Sequence, residues 1–335
     1  MTKRLEYLDC LRGMVMLMVV FSHTCGEFCL GCNGDFWLSR VFGILMLPDF
    51  FFVSGWFTHT SLSGGGAIRK RIKTMLLPTV ATFLIYVFLY WGNMEKVGYC
   101  ALGEYKFGYW FTFALFLINL IHWSVFAILR RLPLCESRME KQTLWTLALV
   151  AIALVALKDW DWNHNRALLA NWFSLRLVAM YFPFYLMGMV CRHMEGQFHR
   201  LVENEWLVAL GVVAFAASLF HHGGGFYFGC VQGLLGVLLL YRLCYFYRDT
   251  FSETTCVGRQ LSMIGRNTLP IYLLHYFFFL GLKLHALGGT IDLHAQWALV
   301  VAVAFVLTMC VTYGSLALAK VIGLSRLVSK LLIGK

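Results

Sequence analysis

Ten apolar segments of membrane-spanning length run through the 335-residue chain. A helix needs about 20 consecutive apolar residues to cross a bilayer. Because hydrocarbon offers no hydrogen-bond partners, the backbone of each segment must pair within itself as a helix. We therefore predict an all-α polytopic membrane protein, a bundle of ten transmembrane helices forming a single domain over residues 1–335. The predicted spans are residues 11–28, 36–57, 72–91, 107–129, 143–157, 173–191, 206–220, 226–247, 268–287 and 295–322.

The composition agrees with lipid as the main solvent of the chain. Only 13% of residues are charged, against about 25% in soluble domains, and mean hydropathy is +0.70. Five prolines and no low-complexity stretch argue against long disordered linkers. The first apolar run carries Arg12 and His23 and lacks a small-residue cleavage site, so we expect a retained span and not a signal peptide.

The net charge of +11 is sorted by loop. In the ten-span topology, 21 of the 28 lysines and arginines fall on one side, five fall on the other, and Arg40 and Arg176 lie within spans. The positive-inside rule then places both termini in the cytoplasm. This distribution indicates membrane topology and contact with lipid headgroups, so nucleic acid is not an expected partner.

Arg12 and His23 lie eleven residues apart on the first span. Eleven helical steps return nearly to the same face, with a rise of about 16 Å. Ionisable groups inside a membrane are costly and usually face the protein interior at functional sites. The pair suits a protein that holds an anionic donor at the membrane edge and does proton chemistry further in. The alternative is a buried histidine bonded to a backbone carbonyl.

A basic cluster, Arg69–Lys70–Arg71, follows the second span after a Ser/Gly-rich loop. Lysine and arginine near a helix N-terminus favour phosphate. The cluster is therefore a candidate binding site for a phosphate-bearing cofactor. The alternative is an anchor that fixes topology and contacts lipid headgroups.

Several other polar or aromatic residues each have either a structural or a functional explanation. Asp49, after Pro48, is either half of a structural ion pair or a functional carboxylate. Tyr109 and Trp110 form either an interfacial belt or a wall for a sugar ring. His275 either packs or takes part in the site. Cys29 and Cys32 form a C-x-x-C motif, either a disulfide or a redox pair; without a second pair at metal spacing, no metal is expected.

These landmarks together resemble the integral-membrane acyltransferase family 3, which includes sugar and peptidoglycan O-acetyltransferases. The matching residues fall in order along almost the whole chain: Leu8-Asp9, Leu11-Arg12-Gly13, His23, Phe51-Phe52-Val53-Ser54-Gly55, the basic cluster before Pro78, Trp110-Phe111, and Gly265-Arg266-Asn267-Thr268-Leu269 with Ile271-Tyr272-Leu273-Leu274-His275. The resemblance implies ten helices with both termini inside, and an arginine–histidine pair essential for acyl transfer, here Arg12 and His23. An R-x-x-R motif is typical of the family, and Arg71 is here followed by Thr74, so the cluster supplies the charge without the motif.

We therefore predict a membrane O-acyltransferase of the cell (inner or plasma) membrane. It would move an acyl group, with acetyl expected, from cytoplasmic acetyl-CoA or another acyl-CoA to a hydroxyl of a cell-envelope or lipid-linked glycan. His23 would act as general base or, alternatively, as transient acyl carrier. Glu27 would orient its ring, and Arg40, Asp49, Tyr109, Trp110 and His275 are candidates for binding substrate. The rival hypotheses are a proton-coupled transporter and a membrane receptor without chemistry; consumption of acyl-CoA separates the enzyme from the transporter.

Overall fold

A computed structural model of the chain describes residues 5–28, 37–58, 64–133, 135–164, 171–221, 225–282 and 297–335. Within these ranges every regular element is helical, and no strand occurs. The C-x-x-C motif at Cys29 and Cys32 lies outside the described residues, as does the side chain of Glu27. The protein is thus all-α, as predicted.

The described residues contain eight helices that are long and apolar enough to cross a membrane, judged by length and composition. The number is nine if Glu195–Glu203 and Glu205–Leu219, which meet at 74°, form one broken span. A shorter apolar helix covers Thr268–Leu280. Each of the ten predicted segments overlaps one of these helices. The protein is polytopic, while the count of ten and the cytoplasmic termini stay predictions.

Contacts within the chain divide it into two compact units. The first unit comprises Met1–Phe50 and Gly196–Val321. Its helices are α1 (Glu6–Phe28), the first part of α2 (Trp37–Phe57), α9 (Glu195–Glu203), α10 (Glu205–Leu219), α11 (Phe226–Phe246), α12 (Cys256–Arg266), α13 (Thr268–Leu282) and α14 (Trp297–Ile322). Helix α1 packs against α11, α12 and α13. It does so through a stripe at helical spacing that is at most 5% exposed: Leu8, Leu11, Val15 and Val19.

The second unit comprises Phe51–Glu195 and Ile322–Lys335. Its helices are the rest of α2, α3 (Gly64–Arg71), a π-helix (Ile72–Leu76), α4 (Leu77–Trp91), α5 (Met94–Leu102), a 3₁₀ turn (Lys106–Gly108), α6 (Trp110–Leu129), α7 (Glu136–His164), α8 (Leu175–His193) and α15 (Arg326–Leu332). Helices α6, α7 and α8 pack on one another, and α15 packs on α4. The prediction of a single domain over the whole chain stays a prediction.

Local sequence signals explain several helix ends. Asn93, Asn204 and Thr255 are N-caps whose side chains accept backbone N–H bonds at the starts of α5, α10 and α12. Gly92 ends α4 in the left-handed conformation (φ 63°), which an L side chain adopts only with strain. In the second unit, Gly188 of α8 lies so close to α2 that an added Cβ would overlap the Phe52 carbonyl. Small residues allow such close crossings in membrane bundles.

Candidate functional site

The candidate site in the first unit begins where α1 crosses α12. A Cβ added at Gly13 would overlap the backbone carbonyl of Leu261, and one added at Gly265 would overlap that of Asp9. Both glycines are therefore required by a backbone-to-backbone approach and not by a turn. This crossing holds the N-terminal end of α1, which is predicted to be cytoplasmic, against the segment in which α12 ends and α13 begins.

A charged network surrounds the crossing. The Nε atom of Arg266 lies 3.4 Å from Oδ2 of Asp9, whose side chain is only 7% exposed. Arg266 also forms an ion pair with Glu253. The backbone N–H of Glu253 in turn donates to Oε2 of Glu6 at 2.8 Å. The motif residues Asp9 and Arg266 therefore join α1 to α12 and to the segment that precedes it.

Arg12 faces the start of α13. Its Nη2 donates to Oγ1 of Thr268, the first residue of that helix, at 3.0 Å, and the side chain is half-buried. The N-terminus of a helix carries a partial positive charge. Arg12 and the first turn of α13 thus add their positive potential at one place, which favours an anionic group.

His23 lies on the same helix, five residues before α1 ends at Phe28 and so nearer that end than the middle. Its Nε2 is 3.1 Å from the hydroxyl of Tyr276 on α13. The imidazole of His275 lies beside both rings: its centroid is 5.3 Å from that of His23 and 4.0 Å from that of Tyr276. The structure therefore brings together two predicted site residues, His23 and His275, that are 252 positions apart in the chain.

The hydrogen bonds of His275 fix its tautomer. Its Nδ1 lies 3.1 Å from the backbone carbonyl of Ile271, which can only accept, so Nδ1 carries the proton. The other nitrogen, Nε2, is then an acceptor. It is buried and has no hydrogen-bond partner among the residues that the structure describes. A buried acceptor without a partner is unusual, and here it lies beside the candidate base.

Two further predicted site residues of the first unit lie elsewhere. Arg40, at the start of α2, donates from Nη2 to the backbone carbonyl of His221 at 2.9 Å. Asp49 is fully buried next to Pro48. Neither of its carboxyl oxygens has a hydrogen-bond partner within the described ranges. Their assignment to substrate binding stays a prediction.

In the second unit, Tyr109 and Trp110 are 1% and 9% exposed, so they are packed within the unit. The Trp110 ring stacks on Tyr181 at 5.4 Å, and Tyr181 stacks on Phe51 at 5.0 Å. Tyr109 meets Phe83 edge-on at 6.1 Å. These contacts account for the aromatic residues by packing, and a sugar-binding role for the two stays a prediction.

Nζ of Lys106, beside this aromatic group, has four backbone carbonyl oxygens within hydrogen-bond distance, the nearest that of Trp172 at 2.8 Å, and its three protons are shared among them. Partial burial lowers the pKa of Lys106, because desolvation penalises its charged form. The ammonium group thus joins the 3₁₀ turn to the residues just before α8. These contacts give Lys106 a structural role and are no evidence that it binds the acceptor substrate.

The three side chains of the basic cluster in the second unit differ in their exposure to solvent. Arg69 and Lys70 are exposed at the end of α3, whereas Arg71 is half-buried directly before the π-helix. π-helical turns are rare and occur often at functional sites. Among the described residues, no hydrogen bond or ion pair involves the side chain of Arg71.

The family model of the acyltransferase domain matches residues 5–317, nearly the entire chain. This protein belongs to the integral-membrane acyltransferase family 3. No curated protein and no solved structure matches the chain. The resemblance inferred from the sequence motifs is thereby confirmed, and the protein is a membrane acyltransferase.

The sequence did not single out two residues as members of this candidate site. Tyr276 and Thr268 contact His23 and Arg12, respectively. Tyr276 directly follows His275, the last residue of the family motif, and an embedded tyrosine next to an embedded histidine was the available signal. Within the described ranges, no group of three or more His, Cys, Asp or Glu side chains is arranged to hold a metal ion.

Proposed function

We propose that this acyltransferase moves an acyl group from acyl-CoA to a hydroxyl of a cell-envelope or lipid-linked glycan, at the inner or plasma membrane, with His23 as general base. The observation that supports this most strongly is the contact of His23 with Tyr276 and His275 on α13. The same two helices bring Arg12 to the first turn of α13. In this proposal, one helix pair supplies both the base and the end that binds the anion.

The proposed step needs only a neutral imidazole. In this proposal His23 carries its proton on Nε2 and donates it to the Tyr276 hydroxyl, 3.1 Å away, which leaves the lone pair on Nδ1. Nδ1 takes the proton of the glycan hydroxyl, whose oxygen attacks the thioester carbonyl. The C–S bond breaks and the new ester forms, and the CoA thiolate takes the proton back from the His23 imidazolium to leave as the free thiol. The imidazole is then neutral again.

Two neighbours assist in this proposal. Nε2 of His275, which has no partner within the described ranges, accepts a hydrogen bond from a second group of the acceptor sugar. In the first unit, Arg12 and the start of α13 favour an anionic group. In the second unit, the basic cluster favours the phosphates of acyl-CoA. Arg71 is the member of the cluster best suited to this, since its half-buried side chain forms no hydrogen bond or ion pair in the described part of the chain.

The deciding experiment measures acyl-CoA consumption by the purified protein with envelope glycan as acceptor. Release of free CoA thiol should depend on acceptor and be lost in His23→Gln at matched protein level. The mass of the envelope glycan, compared with and without the gene, should shift by one acyl unit. If wild-type protein transports a solute but releases no thiol, the proton-coupled transporter is correct and this proposal is wrong.

A further inference from the structure

A second group of polar side chains is buried inside the other unit, between α6 and α8. Asn119, His122 and Tyr185 are 3%, 0% and 0% exposed. Nδ1 of His122 lies 3.0 Å from the Tyr185 hydroxyl, which lies 3.3 Å from Oδ1 of Asn119. Polar groups so deep in an apolar bundle are expensive and mark functional candidates. The signal in the sequence is an asparagine and a histidine three positions apart on one apolar helix.

The hydrogen bonds of the three side chains run in one direction, from His122 through Tyr185 to Asn119. Nδ2 of Asn119 donates to the Leu115 carbonyl at 2.7 Å, so Oδ1 is the atom that accepts from Tyr185. The Tyr185 proton is thereby used, and its oxygen accepts from His122, whose Nδ1 must carry the proton. Nε2 of His122 therefore holds a lone pair. It is buried without a hydrogen-bond partner among the described residues.

The positive charge of Arg71 acts electrostatically on both His122 and Tyr185. Helix α3, which ends at Arg71, and the π-helix that follows both contact α6. His122 lies seven residues, or about 10 Å, before the end of α6 at Leu129. Because the charge of Arg71 reaches His122, a molecule held by Arg71 would need to extend only a short way to meet His122.

The chemistry of the two groups restricts the ligand. Arg71 calls for an anion. Nε2 of His122 calls for a hydrogen-bond donor, which a phosphate oxygen cannot supply. One molecule must therefore carry an anionic end and, along an extended arm, an N–H or O–H group. Coenzyme A has phosphates at one end and two secondary amides along its pantetheine arm.

We propose, building on the proposed function, that His122 accepts a hydrogen bond from a pantetheine amide of the acyl-CoA whose phosphates meet Arg71. Tyr185 and Asn119 are positioning residues that keep the His122 lone pair on Nε2. His122 would thus recognise the pantetheine arm of the donor and not its nucleotide.

The test compares two probes in equilibrium binding to the purified full-length protein in detergent: CoA, and 3′,5′-ADP, which lacks the arm. His122→Leu should weaken CoA binding about five- to tenfold and leave 3′,5′-ADP binding unchanged, because one hydrogen bond to the arm is lost. Arg71→Gln should weaken binding of both probes. His122→Gln, whose amide oxygen can accept, should recover most of the CoA affinity.

Two further variants serve as controls. Tyr185→Phe frees Nδ1 of His122 and should weaken CoA binding about two- to threefold while sparing 3′,5′-ADP, and it keeps the test available if His122→Leu does not fold. His193→Leu removes another histidine of the same unit, one whose Nδ1 lies 3.6 Å from Glu140, and should change neither affinity.

The outcomes separate this inference from the proposed function. If wild-type protein binds neither probe, acyl-CoA is not its donor, and both proposals fail. If wild-type protein binds both probes but His122→Leu keeps wild-type affinity for CoA, or loses affinity for both probes equally, the assignment of His122 is wrong and the proposed function stands.

Discussion

The contact between His23 and Tyr276 allows a quantitative prediction. Removing the base, as in His23→Gln, should lower the acyl-transfer rate about 10²–10⁴-fold. Tyr276→Phe removes only the hydroxyl that meets Nε2 of His23 at 3.1 Å. A single neutral hydrogen bond contributes about 0.5–1.5 kcal/mol. Since about 1.4 kcal/mol is a factor of ten in rate, Tyr276→Phe should slow transfer about 2- to 13-fold.

The double variant tests the coupling. If Tyr276 acts only by orienting His23, Tyr276→Phe should cost nothing further in a His23→Gln background, because there is no imidazole left to orient. The assay is CoA thiol release in membranes at matched protein level, with thermal unfolding in detergent to show that each variant folds. Independent, multiplying losses would refute the role of Tyr276 as a positioning residue. An active His23→Gln variant would refute the general-base mechanism itself.

Three further predictions concern the donor end and the helix crossing. Arg12→Lys should lower turnover about tenfold, because an ammonium group cannot hold Thr268 and also present a planar fork to an anion; steady-state rates at saturating acyl-CoA check this. Changing the whole basic cluster to glutamine should raise KM for acyl-CoA more than it lowers kcat, and unchanged acyl-CoA dependence would make the cluster a topology anchor only. Gly265→Ala should destabilise the fold by about 1–3 kcal/mol, since its Cβ would overlap the Asp9 carbonyl. Gly229→Ala, which has open space around the added Cβ, is the matched control for thermal unfolding.

The sequence by itself determined the fold class and the family. Apolar runs of spanning length allow only helices, because the backbone has no other partner in hydrocarbon. The motifs around Arg12, His23 and His275 were sufficient to indicate the acyltransferase family. Such features can be recognised in the sequence because each depends on residues close together in the chain.

Only the tertiary structure decided which residues meet. Tyr276 contacts His23 across 253 positions, and Arg12 finds Thr268 across 256, distances over which helical periodicity carries no information. The sequence shows Gly265 only as part of a motif, whereas the structure shows that α12 lies too close to the Asp9 carbonyl for any side chain at this position. The lone pair of His122 likewise follows from a chain of hydrogen bonds between two helices. Partners, tautomers and steric limits arise from packing in three dimensions, which is why the sequence alone could name candidates but could not pair them.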